Sequence, residues 1–313
     1  MSDAGAVLGG VDEYRVVRPH PALRPWVASL TGYRQRGLAP AEHLGLPSPY
    51  LTLILTLHEP LTVRVHPDPR QPAAVHDALL GGLHTRPALV THDGAQSGVQ
   101  IALGPLGARV LLGLPAGELA GLDLAAADVL GDWAERLRVR MLAAPDWPAR
   151  FDAVDAALLD LLTRRAADRA RPASPEVVEA WRLLRASAGA LPAAALADRV
   201  GWSGRHLASR FRAEIGLTPK VAGRVVRFDR ARRLLAARAA GAPGTAAGLG
   251  VLAADCGYFD QAHLAREFRA FAGLPPSEWL SREFRSVQAG AAPPGPRWED
   301  GAEPPPERGE DTP

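Results

Sequence analysis

The chain has 313 residues, more than one small core needs and enough for two domains with separate apolar interiors. Its single cysteine, Cys256, excludes an intramolecular disulfide and any multi-cysteine metal site. No run of 18 or more apolar residues occurs, and acidic side chains precede any basic one between Met1 and Tyr14, so neither a spanning helix nor a signal peptide is expected. A cytoplasmic location without a membrane partner follows from that reading.

Arginine carries nearly all the positive charge, since Lys220 is the sole lysine, and a GC-rich coding sequence explains much of that bias. Distribution is more telling than content. Residues 173–290 hold 17 Arg and Lys against 10 Asp and Glu, whereas residues 1–172 hold 17 against 18. The basic charge is therefore concentrated in one segment, as a footprint for phosphates would be.

Residues 1–13 read as a flexible N-terminus. Between 14 and 115, apolar runs at Tyr50 to Leu57, Leu61 to Val65 and Gly98 to Leu103 are separated by turn-rich stretches such as His66 to Pro72, the pattern of a β-rich domain. From Leu119 to Ala167 the apolar spacing changes to three and four residues, in Trp133 to Leu142 and again in Phe151 to Leu162. These helices close a sensor domain of residues 14–165 or pair two subunits into a homodimer. Residues 166–175 read as a linker, 176–289 as an all-α domain, and 290–313 as a disordered tail too rich in Pro, Glu and Asp to bury a core. The expected fold class is α+β: a β-rich N-terminal sensor domain, cupin-like among the forms it can take, followed by helices and a helical C-terminal domain.

An internal repeat occupies that C-terminal domain at an offset of 57 residues, without gaps from Ser203 onward. His206, Leu207 and Ala208 match His263, Leu264 and Ala265; Phe211, Arg212 and Ala213 match Phe268, Arg269 and Ala270; Gly216, Leu217 and Pro219 match Gly273, Leu274 and Pro276. Nine of the fourteen positions from 206 to 219 are identical.

Each copy has the form of a helix-turn-helix. A short helix (about 192–200, then 248–256) leads to a turn glycine (Gly201, Gly257) and a helix opened by a capping residue (Ser203, Asp260). Leu207, Ala208, Phe211 and Ile215 share one helical face, as do Leu264, Ala265, Phe268 and Ala272, and these faces are core. The opposite stripes are Arg205, Ser209 and Arg212 with His206 alongside, and Ala262, Arg266 and Arg269 with His263 alongside, candidates for bases and phosphates. Between the copies, residues 219–238 read as one helix carrying six arginines and spanning roughly 30 Å at 1.5 Å per residue. Successive major-groove faces lie roughly 34 Å apart along B-DNA, so the spacer suits two reading helices in adjacent grooves.

Over residues 176–287 the sequence resembles the AraC/XylS family of bacterial regulators. The motif that carries the resemblance is Ala253, Gly257, Tyr258, Asp260, Gln261, His263, Leu264, Arg266, Phe268, Arg269, Gly273 and Pro276. The resemblance implies a domain of seven helices with both recognition helices in major grooves. It also implies base-reading positions at Arg205, Ala208 and Ser209, then at Ala262, Ala265 and Arg266. Ser209 departs from the arginine many members carry there, with Arg210 one step on; a serine hydroxyl reads bases ambiguously where a guanidinium pairs with guanine. Arg205 is then the main discriminator of the first unit. The full candidate DNA-contacting set is Ser203, Arg205, His206, Ser209, Arg210 and Arg212, with Asp260, Gln261, Ala262, His263, Arg266 and Arg269. Residues 14–165 resemble the sensor domains of some actinobacterial members, which brings no ligand with it, so the effector-binding residues stay unassigned.

Other chemistry is poorly supported. Cys256 sits just before a turn glycine, where a small packed side chain is wanted rather than a redox sensor. Seven of the nine histidines fall in the N-terminal domain, but without recognised ligand spacing, so no metal and no cofactor is expected. That half has no cysteine to act as a nucleophile, and the chain has no Gly-x-Ser-x-Gly elbow, phosphate loop or zinc-protease motif. An enzyme is not expected. The sequence reads as a DNA-binding transcription factor with double-stranded DNA as partner, RNA polymerase and a small-molecule effector as further partners, and dimerisation assigned to residues 119–165. A protein-interaction module that has lost base reading, and a cupin-type enzyme tethered to a DNA-binding domain, are the alternatives.

Overall fold

The computed structural model describes residues 11–167, 172–241 and 248–288; the expectations for the first ten residues and for the acidic tail lie outside them. Among the described residues ten strands form two antiparallel sheets. They are β1 (Val11–Val17), β2 (Val27–Arg36), β3 (Ala41–Gly45), β4 (Leu51–Thr56), β5 (Leu61–Val65), β6 (Ala74–His76), β7 (Ala78–Gly81), β8 (Ala88–His92), β9 (Gln96–Leu103) and β10 (Asp123–Ala125). The larger sheet runs β1-β2-β9-β4-β7-β10 and the smaller β3-β8-β5-β6. Because β1 starts at Val11 and pairs with Arg36 of β2, residues 11–13 belong to the sheet rather than to a flexible N-terminus.

Period-two alternation gives the larger sheet two working faces. Leu51, Leu53 and Leu55 of β4 and Val99, Ile101 and Leu103 of β9 are buried on one face. Ile54 turns the other way and joins Leu79 against Leu61, Val63, Ala88 and Val90 of the smaller sheet. After β9 the chain forms α1 (Pro105–Gly107), a π-helical turn (Ala108–Leu112) and a 3-10 turn (Ala116–Leu119), before α2 (Ala127–Leu130), α3 (Trp133–Ala143) and α4 (Trp147–Ala167). The helix α4 lies so close on β2 that a Cβ at Gly32 would come within 2.6 Å of the Trp147 ring, which itself stacks on Phe151 at 5.9 Å. Only glycine fits under that indole.

Among the described residues seven helices follow, the number the sequence resemblance implies: α5 (Pro175–Ala186), α6 (Ala193–Arg199), α7 (Gly204–Ile215), α8 (Pro219–Gly241), α9 (Leu249–Asp255), α10 (Gln261–Ala272) and α11 (Pro276–Gln288). Helix α8 is their common support. Phe228 on α8 meets Phe268 at 5.0 Å and Phe271 at 5.1 Å, while Phe268 reaches Trp279 of α11 at 5.8 Å. In the first unit Trp181 of α5 packs on Phe211 at 6.2 Å. One cluster of buried apolar residues runs from Leu23 through to Trp279, so the β-rich and helical domains share a continuous interior. Truncating a buried phenylalanine at its centre leaves a cavity, and Phe228→Ala is expected to cost about 3–5 kcal/mol in urea unfolding followed by helical circular dichroism.

Candidate nucleic-acid interface

Both helix-turn-helix units are built by the same local physics. At the turn, Gly201 and Gly257 take left-handed φ angles of +71° and +70°. Trp202 then donates its backbone N–H to the Ala197 carbonyl at 3.0 Å, and Tyr258 donates to Ala253 at 2.8 Å. Next come the caps: Ser203 Oγ accepts the His206 amide at 3.2 Å and Asp260 Oδ1 accepts the His263 amide at 2.6 Å. Each satisfies a first-turn N–H that has no partner within its helix. His206 and His263 stand edge-on to Trp202 and Tyr258, at 4.5 and 5.2 Å between ring centroids. The two histidines therefore brace the turn aromatics.

The structure also extends the repeat upstream of the caps. Before the caps, equivalent residues are 56 apart (Ala197 and Ala253, Gly201 and Gly257, Trp202 and Tyr258); from the caps onward they are 57 apart. Phe259 is the added residue and is 93% exposed.

Outward faces sort cleanly by charge. Arg205, Arg210 and Arg212 on α7, and Arg266 and Arg269 on α10, are exposed and make no ion pair among the described residues. Gln261 and Ala262 are exposed beside them, Ser209 likewise, and Ala208 and Ala265 are partly covered. The acids of these helices are withdrawn. Glu267 is gripped by Arg224 of α8, Nη2 to Oε1 at 2.9 Å and Nε to both oxygens at 3.1 Å. Glu214 is gripped by Arg109 of the N-terminal domain through two hydrogen bonds of 2.8 and 2.6 Å.

Most of the α8 arginines serve the interior rather than an external ligand. Arg232 and Arg233 share the buried Asp229, Arg238 pairs with Asp255, and Arg227 lies 5.8 Å over the Tyr258 ring. The positive excess of the segment is thus available to an outside anion mainly on α7 and α10. Cys256 is buried at the end of α9, and desolvation pushes its thiol up to about 11, which keeps it protonated and unreactive at neutral pH.

The N-terminal domain reaches α7 directly. Gly117 of the 3-10 turn lies so near the end of α7 that a Cβ there would stand 2.2 Å from the Ala213 carbonyl oxygen. Between them runs an open cleft with Gly117 and Ala120 on one side and Ala208, Ser209, Arg212 and Ala213 on the other. Neither Arg109 nor Glu214 carries a motif, and the pair emerges only from the fold. Arg109→Ala would strand a largely buried carboxylate, and a loss of about 1–3 kcal/mol is expected in denaturant unfolding.

A second concavity, of about 230 Å³, lies between the two sheets and is lined by Tyr14, Tyr33, His43, Thr52, Ile54, Gln96, Gln100 and Asp123, among others. Arg232 of α8 and Trp279 of α11 contribute to the same wall, so the cavity abuts the helical domain. Asp123 is fixed by His66 Nδ1 at 2.9 Å and by two bonds between its backbone and the Gln71 amide. Among the described residues no group of three or more His, Cys, Asp or Glu is arranged to hold a metal ion.

Burial, and to a smaller extent His92, push His43 down to about 4, so the folded state favours its neutral form. The stability this contributes is complete above the unfolded value near 6.5 and falls away as pH drops from there toward 4. Thermal unfolding at pH 7.5 and pH 5 should show this loss, and His43→Gln should flatten it.

Residues 196–282 match the family described as a helix-turn-helix domain. The C-terminal region carries a helix-turn-helix domain. No curated protein matches the chain. Among solved structures, ToxT from Vibrio cholerae aligns at 11% identity and a TM-score of 0.49, covering 81% of this chain and 97% of that one. ToxT from Vibrio cholerae strain SCE256 with bound unsaturated fatty acid aligns at 8% identity and a TM-score of 0.49, covering 84% and 96%. The AraC-like transcriptional activator CuxR aligns at 17% identity and a TM-score of 0.29, covering 73% and 88%. The matched segment runs from within α6 to within α11 and contains both capped helices, α7 and α10. No helix among the described residues is long and apolar enough to cross a membrane.

Proposed function

We propose that this protein is a sequence-specific DNA-binding transcription regulator that inserts α7 and α10 into neighbouring major grooves and responds to a small molecule held between its sheets. The observation that carries the DNA reading is the duplicated sorting of charge. On both recognition helices the arginines point outward unpaired while Glu214 and Glu267 are neutralised from behind. A polyanion meets unpaired positive side chains on both helices, and the caps fix each helix start. Arg205 and Arg266 are the guanine readers, since guanidinium forms two bonds to guanine O6 and N7. Gln261 is suited to adenine by the same geometry. The remaining arginines, with the exposed amides of the first turns, take phosphates.

The cavity is where an effector would bind. It is enclosed by both sheets, carries hydrogen-bonding groups among apolar walls, and draws Arg232 and Trp279 from the helical domain, so an occupant touches both domains. The response passes to DNA through the Ala116–Leu119 turn, which already leans on α7.

The test is binding of purified protein to a duplex selected from a random library and to an unrelated duplex, across a salt series. Phosphate contacts weaken steeply with salt on both duplexes. Arg266→Ala should lose about 1–3 kcal/mol on the selected duplex and little on the unrelated one. Equal, salt-sensitive binding to both duplexes, unchanged by the substitution, would sink the sequence-specific reading.

A further inference from the structure

Phe259 is the one residue of the second unit without a counterpart in the first, and its side chain is 93% exposed. A phenylalanine ring displayed that fully to water is free to gain from apolar contact with a bound partner. The backbone around it is held on both sides. Tyr258, immediately before it, is buried, with its N–H on the Ala253 carbonyl at 2.8 Å. Asp260, immediately after it, caps α10. The Phe259 amide itself donates to His263 Nδ1 at 3.4 Å. The ring thus stands at the N-terminal end of a recognition helix, on a short segment fixed at three points.

That end of a recognition helix is the one whose residues meet base edges in the major groove. Its neighbours there are exposed Gln261 and Ala262. In the major groove the one apolar feature of the base edges is the C5-methyl group of thymine, which phenylalanine and alanine contact by packing. We infer that Phe259 is a specificity-determining residue that packs on a thymine methyl at the edge of the site read by α10. Exposed Ala262 has no side-chain donor or acceptor to compete for that base edge. The first unit, lacking the added residue, has no such preference. The inference rests on the DNA-binding reading above and names a further base that the second unit selects.

The experiment repeats the library selection with wild-type protein, Phe259→Ala and Arg266→Ala, then replaces the implicated thymine by uracil, which removes only the methyl group. Wild type should enrich one thymine beside the base whose selection depends on Arg266. Replacing it by uracil should weaken wild-type binding about fourfold, the contribution of one buried methyl-sized group. Phe259→Ala should lose that preference alone and be indifferent to uracil.

The inference is overturned if Phe259→Ala selects the same thymine, if the uracil penalty persists in the variant, or if no thymine is enriched. It is equally overturned if Phe259→Ala binds DNA as wild type does but lowers transcription with RNA polymerase, which would give the ring a protein partner. Arg266→Ala separates the two levels. If it too leaves the selected site unchanged, base reading by α10 itself fails; if it alters the site while Phe259→Ala does not, only the thymine contact fails.

Discussion

The burial of one apolar stripe on each recognition helix against the frame built around α8 fixes everything the C-terminal domain presents to its surroundings. Phe211 and Phe268 cannot leave the interior without exposing large rings, and Phe228, Trp181 and Trp279 close around them. With 3.6 residues per turn, committing Leu207 and Phe211, or Leu264 and Phe268, to the core decides which side chains face outward. The caps Ser203 and Asp260 then fix where each helix begins. Arg205, Arg266 and Phe259 stand where they do because of these anchors, not because of contacts of their own.

A basic segment is an ambiguous signal until its partners are known. Here the arginines divide into two populations by what lies within reach. On α8 most face acids or rings inside the protein, and Asp229 serves two of them at once. On α7 and α10 the local acids are already engaged, so the arginines remain hydrated and available. Withdrawing Glu267 by Arg224 and Glu214 by Arg109 removes negative charge from faces that would otherwise repel phosphate. An internal ion pair in this setting shapes an external potential as well as joining two elements of the fold.

Much of the C-terminal domain was legible in the sequence because duplication states each rule twice. The cap, the turn glycine and the buried phenylalanine recur, and the helices expected there fall within three residues of their bounds, α8 running on from 238 to Gly241. The added Phe259 was legible too, since the offset changes from 56 to 57 across it, but an offset counted only from Ser203 passes over the change. The N-terminal domain was harder to read. Runs such as Leu61 to Val65 announce strands, whereas β3, β6 and β10 are short, and their pairing depends on segments far away in sequence. The contact of Gly117 with α7 and the Arg109 to Glu214 bridge join residues about a hundred positions apart, and no local pattern encodes such a meeting.

Helix α7 belongs to both domains at once: its hydrophobic side to the helical bundle, its last turn and Glu214 to the β-rich domain. An element shared in this way is subject to thermodynamic reciprocity. A molecule that shifts the Ala116–Leu119 turn when it binds, and thereby alters how α7 meets DNA, has its own affinity altered by DNA through the same factor. On the proposed function, occupancy of DNA would then be an input to sensing: the protein on its site and the protein in solution would be two receptors with different thresholds, built from one chain.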